Sequence, residues 1–136
     1  MTPSSALPTP SIANDPDRQI YIDGKCVCVY CGVDGRRCIL AWHQLMIEHV
    51  IPLRCKAPER PKSPLNDRKN KVVACLSCNN VKRSWDKKYN DAHPDAPLAE
   101  RVADALKSAK EYILKRYALI DADYEPMMKE IGPKAV

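Results

Sequence analysis

Two pairs of cysteines with the same internal spacing, Cys28-Val29-Tyr30-Cys31 and Cys75-Leu76-Ser77-Cys78, constrain this chain more than any other feature. Each C-x-x-C pair sets two thiolates on one side of a tight turn, and two such pairs complete a tetrahedral ligand set for one ion. Zn²⁺ held by four cysteines has no open coordination position, so the metal is expected to be structural and to supply folding free energy. The chain needs such a staple: its 136 residues include no Phe, two Trp and twelve Pro, too little for a large hydrophobic core. Disulfides fit less well. Seven cysteines is an odd number, and the sequence shows no secretory apolar segment and no membrane-length apolar run. The expectation is an intracellular chain, cytoplasmic or nucleoid-associated rather than secreted, with no membrane partner. Cys26, Cys38 and Cys55 are left over as packed or loop residues.

Along the chain, residues 1–18 read as a disordered tail, with Pro3, Pro8, Pro10 and Pro16 set among small polar residues. Strand formers in Gln19 to Ile22 and Lys25 to Val29 flank Asp23-Gly24, which suggests an N-terminal hairpin. The apolar stretch from Cys38 to Ile51 has a periodicity compatible with strand or helix. Its last part is read as strand because Ile47, Val50 and Ile51 are β-branched and Pro52 ends it. Leu53 to Asn70 reads as a long loop, Lys71 to Ala74 as a short strand, and a helix should start near Asn79 or Asn80, where Asn80 suits an N-cap. A second helix is expected over about Leu98 to Ala118, with Leu98, Val102, Ala105, Leu106, Ala109, Ile113 and Tyr117 along one face as a packing surface.

Charge is unevenly distributed. Residues 54–88 hold eleven Lys and Arg against Glu59, Asp67 and Asp86, a local balance of +8 in a chain of net charge +5. A localised basic surface suits a polyanion. Arg54, Lys56, Lys71, Lys82 and Arg83 are the candidate nucleic-acid contacts, and DNA is the expected partner.

Between the two cysteine pairs stands Ile47-Glu48-His49-Val50-Ile51-Pro52; Asn70 lies five residues before Cys75, and Asn79 and Lys82 follow Cys78 as C-Asn-x-x-Lys. Taken together over residues 26–88, these elements resemble the HNH nuclease family in its His-Asn-Asn form. The resemblance implies a ββα-metal fold in which His49 is the general base and Glu48 and Asn79 grip a catalytic divalent metal. It also implies that Asn70 braces the loop that orients His49. The family more often has Asp at the position of Glu48 and His at that of Asn79, and a neutral amide oxygen there favours Mg²⁺ or Mn²⁺. Hydrolysis of a phosphodiester needs a proton acceptor for water and a cation for the charge on the phosphorane oxygens and leaving group. Within a strand, however, Glu48 and His49 face opposite sides.

The expected architecture is therefore α+β: a small zinc-bound ββα-metal core with an N-terminal hairpin over residues 19–92, then a helical C-terminal extension over 93–136. The expected function is metal-dependent endonucleolytic cleavage of DNA. The alternative is a non-catalytic zinc-stabilised module that binds nucleic acid. The C-terminal helix is the expected surface for a protein partner or self-association.

Overall fold

The structure, a computed structural model, describes residues 15–55, 64–91 and 94–133. Most of the expected tail and Lys56 lie outside the described residues.

The chain mixes helix and strand, and its first element departs from expectation. Instead of a hairpin, the segment forms a short helix, α1 (Arg18–Asp23). Strand propensity loses here to local hydrogen bonding. The Asp17 N–H donates to Asp15 Oδ1 at 2.8 Å, the Arg18 N–H to the Asp15 carbonyl at 3.0 Å, and Gln19 Nε2 to Asp23 Oδ1 at 2.7 Å, one helical turn apart. The helix buries Ile20 and tilts Tyr21 against Trp42, with ring centroids 5.1 Å apart. Gly24 closes it, and the chain then reverses through Lys25 and Cys26, both at φ 55°. Two consecutive left-handed non-glycine residues cost roughly 1–2 kcal/mol each. Backbone bonds from Cys26 N–H to Tyr21 and from Gly35 N–H to the Cys26 carbonyl, at 2.9 and 2.8 Å, help offset that.

The ambiguous apolar stretch resolves into both elements in turn: a five-residue helix, α2 (Ile39–His43), then strand β1 (Leu45–His49). β1 pairs antiparallel with β2 (Lys71–Cys75), in the register Leu45 to Cys75, Ile47 to Val73 and His49 to Lys71. The ladder is extended at both ends, by Leu76 N–H to the Gln44 carbonyl and by Val50 N–H to the Asn70 carbonyl. Short 3-10 turns occupy Leu53–Cys55, Pro64–Asn66 and Arg68–Asn70 within the expected loop.

Helix α3 (Leu76–Lys88) follows β2 without a linker and packs on both strands. It starts earlier than expected, because Cys75 is its N-cap: the Cys75 sulfur accepts from the Cys78 N–H at 3.4 Å. Asn80 is thus inside the helix, not at its cap. The last helix, α4 (Leu98–Ile131), runs well past Ala118, with Pro126 inside it. Its buried residues are Arg101, Val102, Ala105, Ala109 and Ile113, the three- and four-residue spacing of one helix face. They pack against α3 and the Arg68–Asn70 turn; Trp85 Nε1 donates to Ser108 Oγ at 3.0 Å, and Arg101 pairs with Asp91 at 2.7 Å. The core joins these residues to Tyr30, Val50, Ile51, Leu65 and Ala74. No helix among the described residues is long and apolar enough to cross a membrane.

Candidate metal centre and the face around His49

The four cysteines of the two C-x-x-C pairs converge. Their sulfur atoms all lie within 4.8 Å of one another, and Cys31 Sγ is 3.7 Å from Cys75 Sγ. Four sulfurs around zinc at about 2.3 Å are spaced about 3.8 Å apart in a regular tetrahedron. The donor set therefore fits Zn²⁺ in chemistry and in spacing.

Backbone geometry brings the two halves together. In the first, the Gly32 N–H donates to the Cys28 carbonyl at 2.9 Å, and Gly32 takes φ 81°, which glycine adopts without steric cost. Val29 N–H then donates to the Val73 carbonyl at 2.9 Å, fastening that turn to the outer edge of β2. In the second, the start of α3 carries Cys75 and Cys78. Cys28, Cys75 and Cys78 are buried and Cys31 is exposed.

Four sulfurs this close perturb one another's protonation. Hydrogen bonds from Cys75 and Cys78 hold the Cys28 thiol far below its ordinary range. The contact with Cys28 in turn pushes Cys75 up to about 11 and raises Cys78 further. A divalent ion relieves this conflict by taking all four sulfurs as thiolates. Helix α4 reaches the cluster too: the Tyr117 hydroxyl lies 2.7 Å from Ser77 Oγ and 3.1 Å from Cys78 Sγ.

At the end of β1, Glu48 and His49 diverge as strand geometry requires. Glu48 is buried beneath α3, where Oε1 accepts from the Tyr30 hydroxyl and Oε2 lies 3.2 Å from Lys82 Nζ. Lys82 has 0% of its side chain exposed and also meets Asp86 Oδ1 at 2.5 Å and the His49 carbonyl at 3.1 Å. Burial pushes the Glu48 carboxyl up, opposed by the Lys82 ammonium and the Tyr30 hydroxyl. Burial, with the Glu48 carboxylate alongside, holds the Tyr30 phenol far above its usual range. Lys82 is accordingly no surface phosphate contact: it is the centre of a buried charge network that ties β1 to α3.

His49 is half-buried, with Nε2 3.2 Å from Asn66 Oδ1. The chain after it is clamped by Asn70, which is fully buried. Asn70 Oδ1 accepts from the Ile51 N–H at 2.8 Å, and Nδ2 donates to the carbonyls of Ile51 at 3.0 Å and Leu65 at 2.8 Å. Asn79, in the first turn of α3, is half-buried.

The remaining basic candidates divide. Arg83 is exposed on α3 with Lys87 and Lys88, and Arg68 and Lys69 are exposed on the turn before β2. Lys71 is half-buried, 3.6 Å from Asp17 Oδ1. Arg54 is exposed, yet its guanidinium donates to the carbonyls of Asp86 and Tyr89, capping the last turn of α3. Tyr30, Asn66 and Asp86 complete the site and were not singled out by sequence. Tyr30, lying between two motif cysteines, was the one with a usable signal.

The chain matches no protein-family model, no curated protein and no solved structure.

Proposed function

We propose that this protein is a zinc-stapled, metal-dependent endonuclease of the HNH type that hydrolyses phosphodiester bonds of DNA, with His49 as general base. The observation that carries the proposal is the setting of His49. It is partly solvent-accessible at the end of a strand, its own carbonyl is held by Lys82, and the bend that follows is fastened by three side-chain hydrogen bonds from Asn70. A base that must meet a water and a phosphate in fixed geometry needs such a support. The order β1, β2, α3 also supports it, as do Arg68, Lys69, Arg83, Lys87 and Lys88, exposed for contact with a phosphate backbone.

Glu48 and Asn79 are the residues that would hold Mg²⁺ or Mn²⁺, which would supply charge stabilisation at the phosphate and the leaving oxygen. Glu48 can do so only by exchanging Lys82 or Tyr30 for the cation, since both its oxygens are engaged. That same observation favours a second reading, a non-catalytic zinc module that binds nucleic acid with Glu48 purely structural.

Nicking of supercoiled plasmid across a Mg²⁺ or Mn²⁺ titration separates the two. The parent should nick only with added metal, and His49→Ala should lose roughly 10²- to 10⁴-fold in rate while retaining zinc and DNA affinity. Equal nicking by His49→Ala, or none by the parent at any metal concentration, overturns the nuclease reading.

A further inference from the structure

The imidazole of His49 is engaged at one nitrogen and open at the other. Nε2 lies 3.2 Å from Asn66 Oδ1, and Nδ1 has no hydrogen-bond partner among the described residues. In a neutral imidazole one nitrogen donates and the other accepts. An amide oxygen can only accept, so the contact places the ring proton on Nε2 and leaves the Nδ1 lone pair free.

Asn66 ends the turn Pro64–Asn66, and its side chain is exposed, but the backbone on both sides of it is tied down. Leu65, before it, is buried, and its carbonyl accepts from Asn70 Nδ2 at 2.8 Å. After it, the Asp67 carbonyl accepts from the Asn70 N–H at 2.9 Å, and Asp67 Oδ1 accepts from the Lys69 N–H at 2.9 Å. The strand end that carries His49 hangs from the same residue. The Val50 N–H donates to the Asn70 carbonyl at 2.9 Å, while the His49 carbonyl accepts from Lys82 Nζ at 3.1 Å. Asn70 thus fixes the neighbours of Asn66 and the residue after His49. A shared anchor delivers the two partners to each other, so only side-chain rotation of Asn66 is left to order when it holds the ring.

We propose that Asn66 is a positioning residue for His49: its amide oxygen accepts from Nε2–H, sets the rotation of the ring and aims Nδ1 at the attacking water. A base oriented by a third group is a general requirement of such chemistry. The water's proton passes to Nδ1 as its oxygen bonds to phosphorus, and the leaving oxygen departs with the electron pair of the broken bond. The ring becomes an imidazolium that still donates to Asn66 through Nε2–H. The part in cleavage rests on the nuclease reading; the hold on the ring does not.

Asn66→Ala, which removes the acceptor, and Asn66→Asp, which keeps one, test this in the zinc-loaded full chain. Long-range ¹H–¹⁵N spectra of the neutral ring should show the proton on Nε2 in the parent and in Asn66→Asp. In Asn66→Ala the Nε2–H signal should broaden through faster exchange with solvent. Plasmid nicking at saturating DNA should fall roughly 10- to 100-fold in Asn66→Ala, with DNA affinity and the urea midpoint close to the parent's. Asn66→Asp should restore most of that rate. A neutral ring protonated on Nδ1, or an Nε2–H signal that Asn66→Ala leaves unchanged, overturns the hold on the ring. An Asn66→Ala variant that nicks like the parent overturns its part in cleavage. A parent that never nicks overturns the nuclease reading instead, and the spectra still decide the hold on the ring.

Discussion

Replacing Asn70 by Ala tests how much of the fold around His49 rests on one carboxamide. The side chain is fully buried and uses its oxygen and both of its N–H donors: Ile51 N–H at 2.8 Å, Ile51 carbonyl at 3.0 Å and Leu65 carbonyl at 2.8 Å. Alanine removes all three bonds and leaves three backbone groups without those partners beside Val50, Ile51 and Leu65, which are themselves buried. A buried backbone group that loses its hydrogen bond costs about 1–3 kcal/mol, and the Ile51 N–H and carbonyl both lose one here. Relaxation and entering water recover part of that, so the expected loss is about 3–5 kcal/mol, a large share of the roughly 5–15 kcal/mol that stabilises a typical domain. Asn70→Asp should be no better, because a carboxylate cannot donate to two carbonyls. Asn66→Ala, by contrast, removes an exposed contact to His49 and should change stability by no more than about 0.5 kcal/mol. Urea denaturation in the presence of zinc measures all three. An Asn70→Ala variant within about 1 kcal/mol of the parent, well below that orphan-group cost, would refute the clamp as the support of this bend.

Three further outcomes are expected. Lys82→Met leaves Glu48 buried without its cation and should cost about 3–5 kcal/mol in the same denaturation assay, whereas Lys82→Met combined with Glu48→Gln should recover much of it. A strong chelator should unfold the protein, and more readily as pH falls, because protons compete with the metal for four thiolates; circular dichroism and released zinc should change together. Tyr117→Phe should lower zinc affinity roughly 10-fold in a chelator competition by removing the hydroxyl beside Cys78, without abolishing the fold.

The parts of this structure written in short-range code were legible in the sequence. The cysteine quartet follows from C-x-x-C spacing alone. β2 and the helix after it followed from a β-branched run entering a polar-apolar period. α1 was not legible as helix: Ile20, Tyr21 and Ile22 favour strand locally, and what overrides them is the bonding around Asp15 and Asp17 and the burial of Ile20. The network of Tyr30, Glu48, Lys82 and Asp86 is assembled from three separate segments, so no local pattern could disclose it. For the same reason Lys82 read as one more member of a basic run. α4 runs past the expected end near Ala118, because the apolar face traced from Leu98 to Tyr117 marks where the helix packs and not where it stops.

Cys75 has two jobs at once: it is a sulfur of the four-cysteine cluster and the N-cap of α3, accepting the Cys78 N–H. A thiolate accepts that bond better than a thiol does, and the positive end of the helix favours it further. Metal binding and the first turn of α3 thus draw on one and the same sulfur atom. The expected consequence is that added metal slows exchange of the Cys78 amide hydrogen with solvent, and that a chelator speeds it.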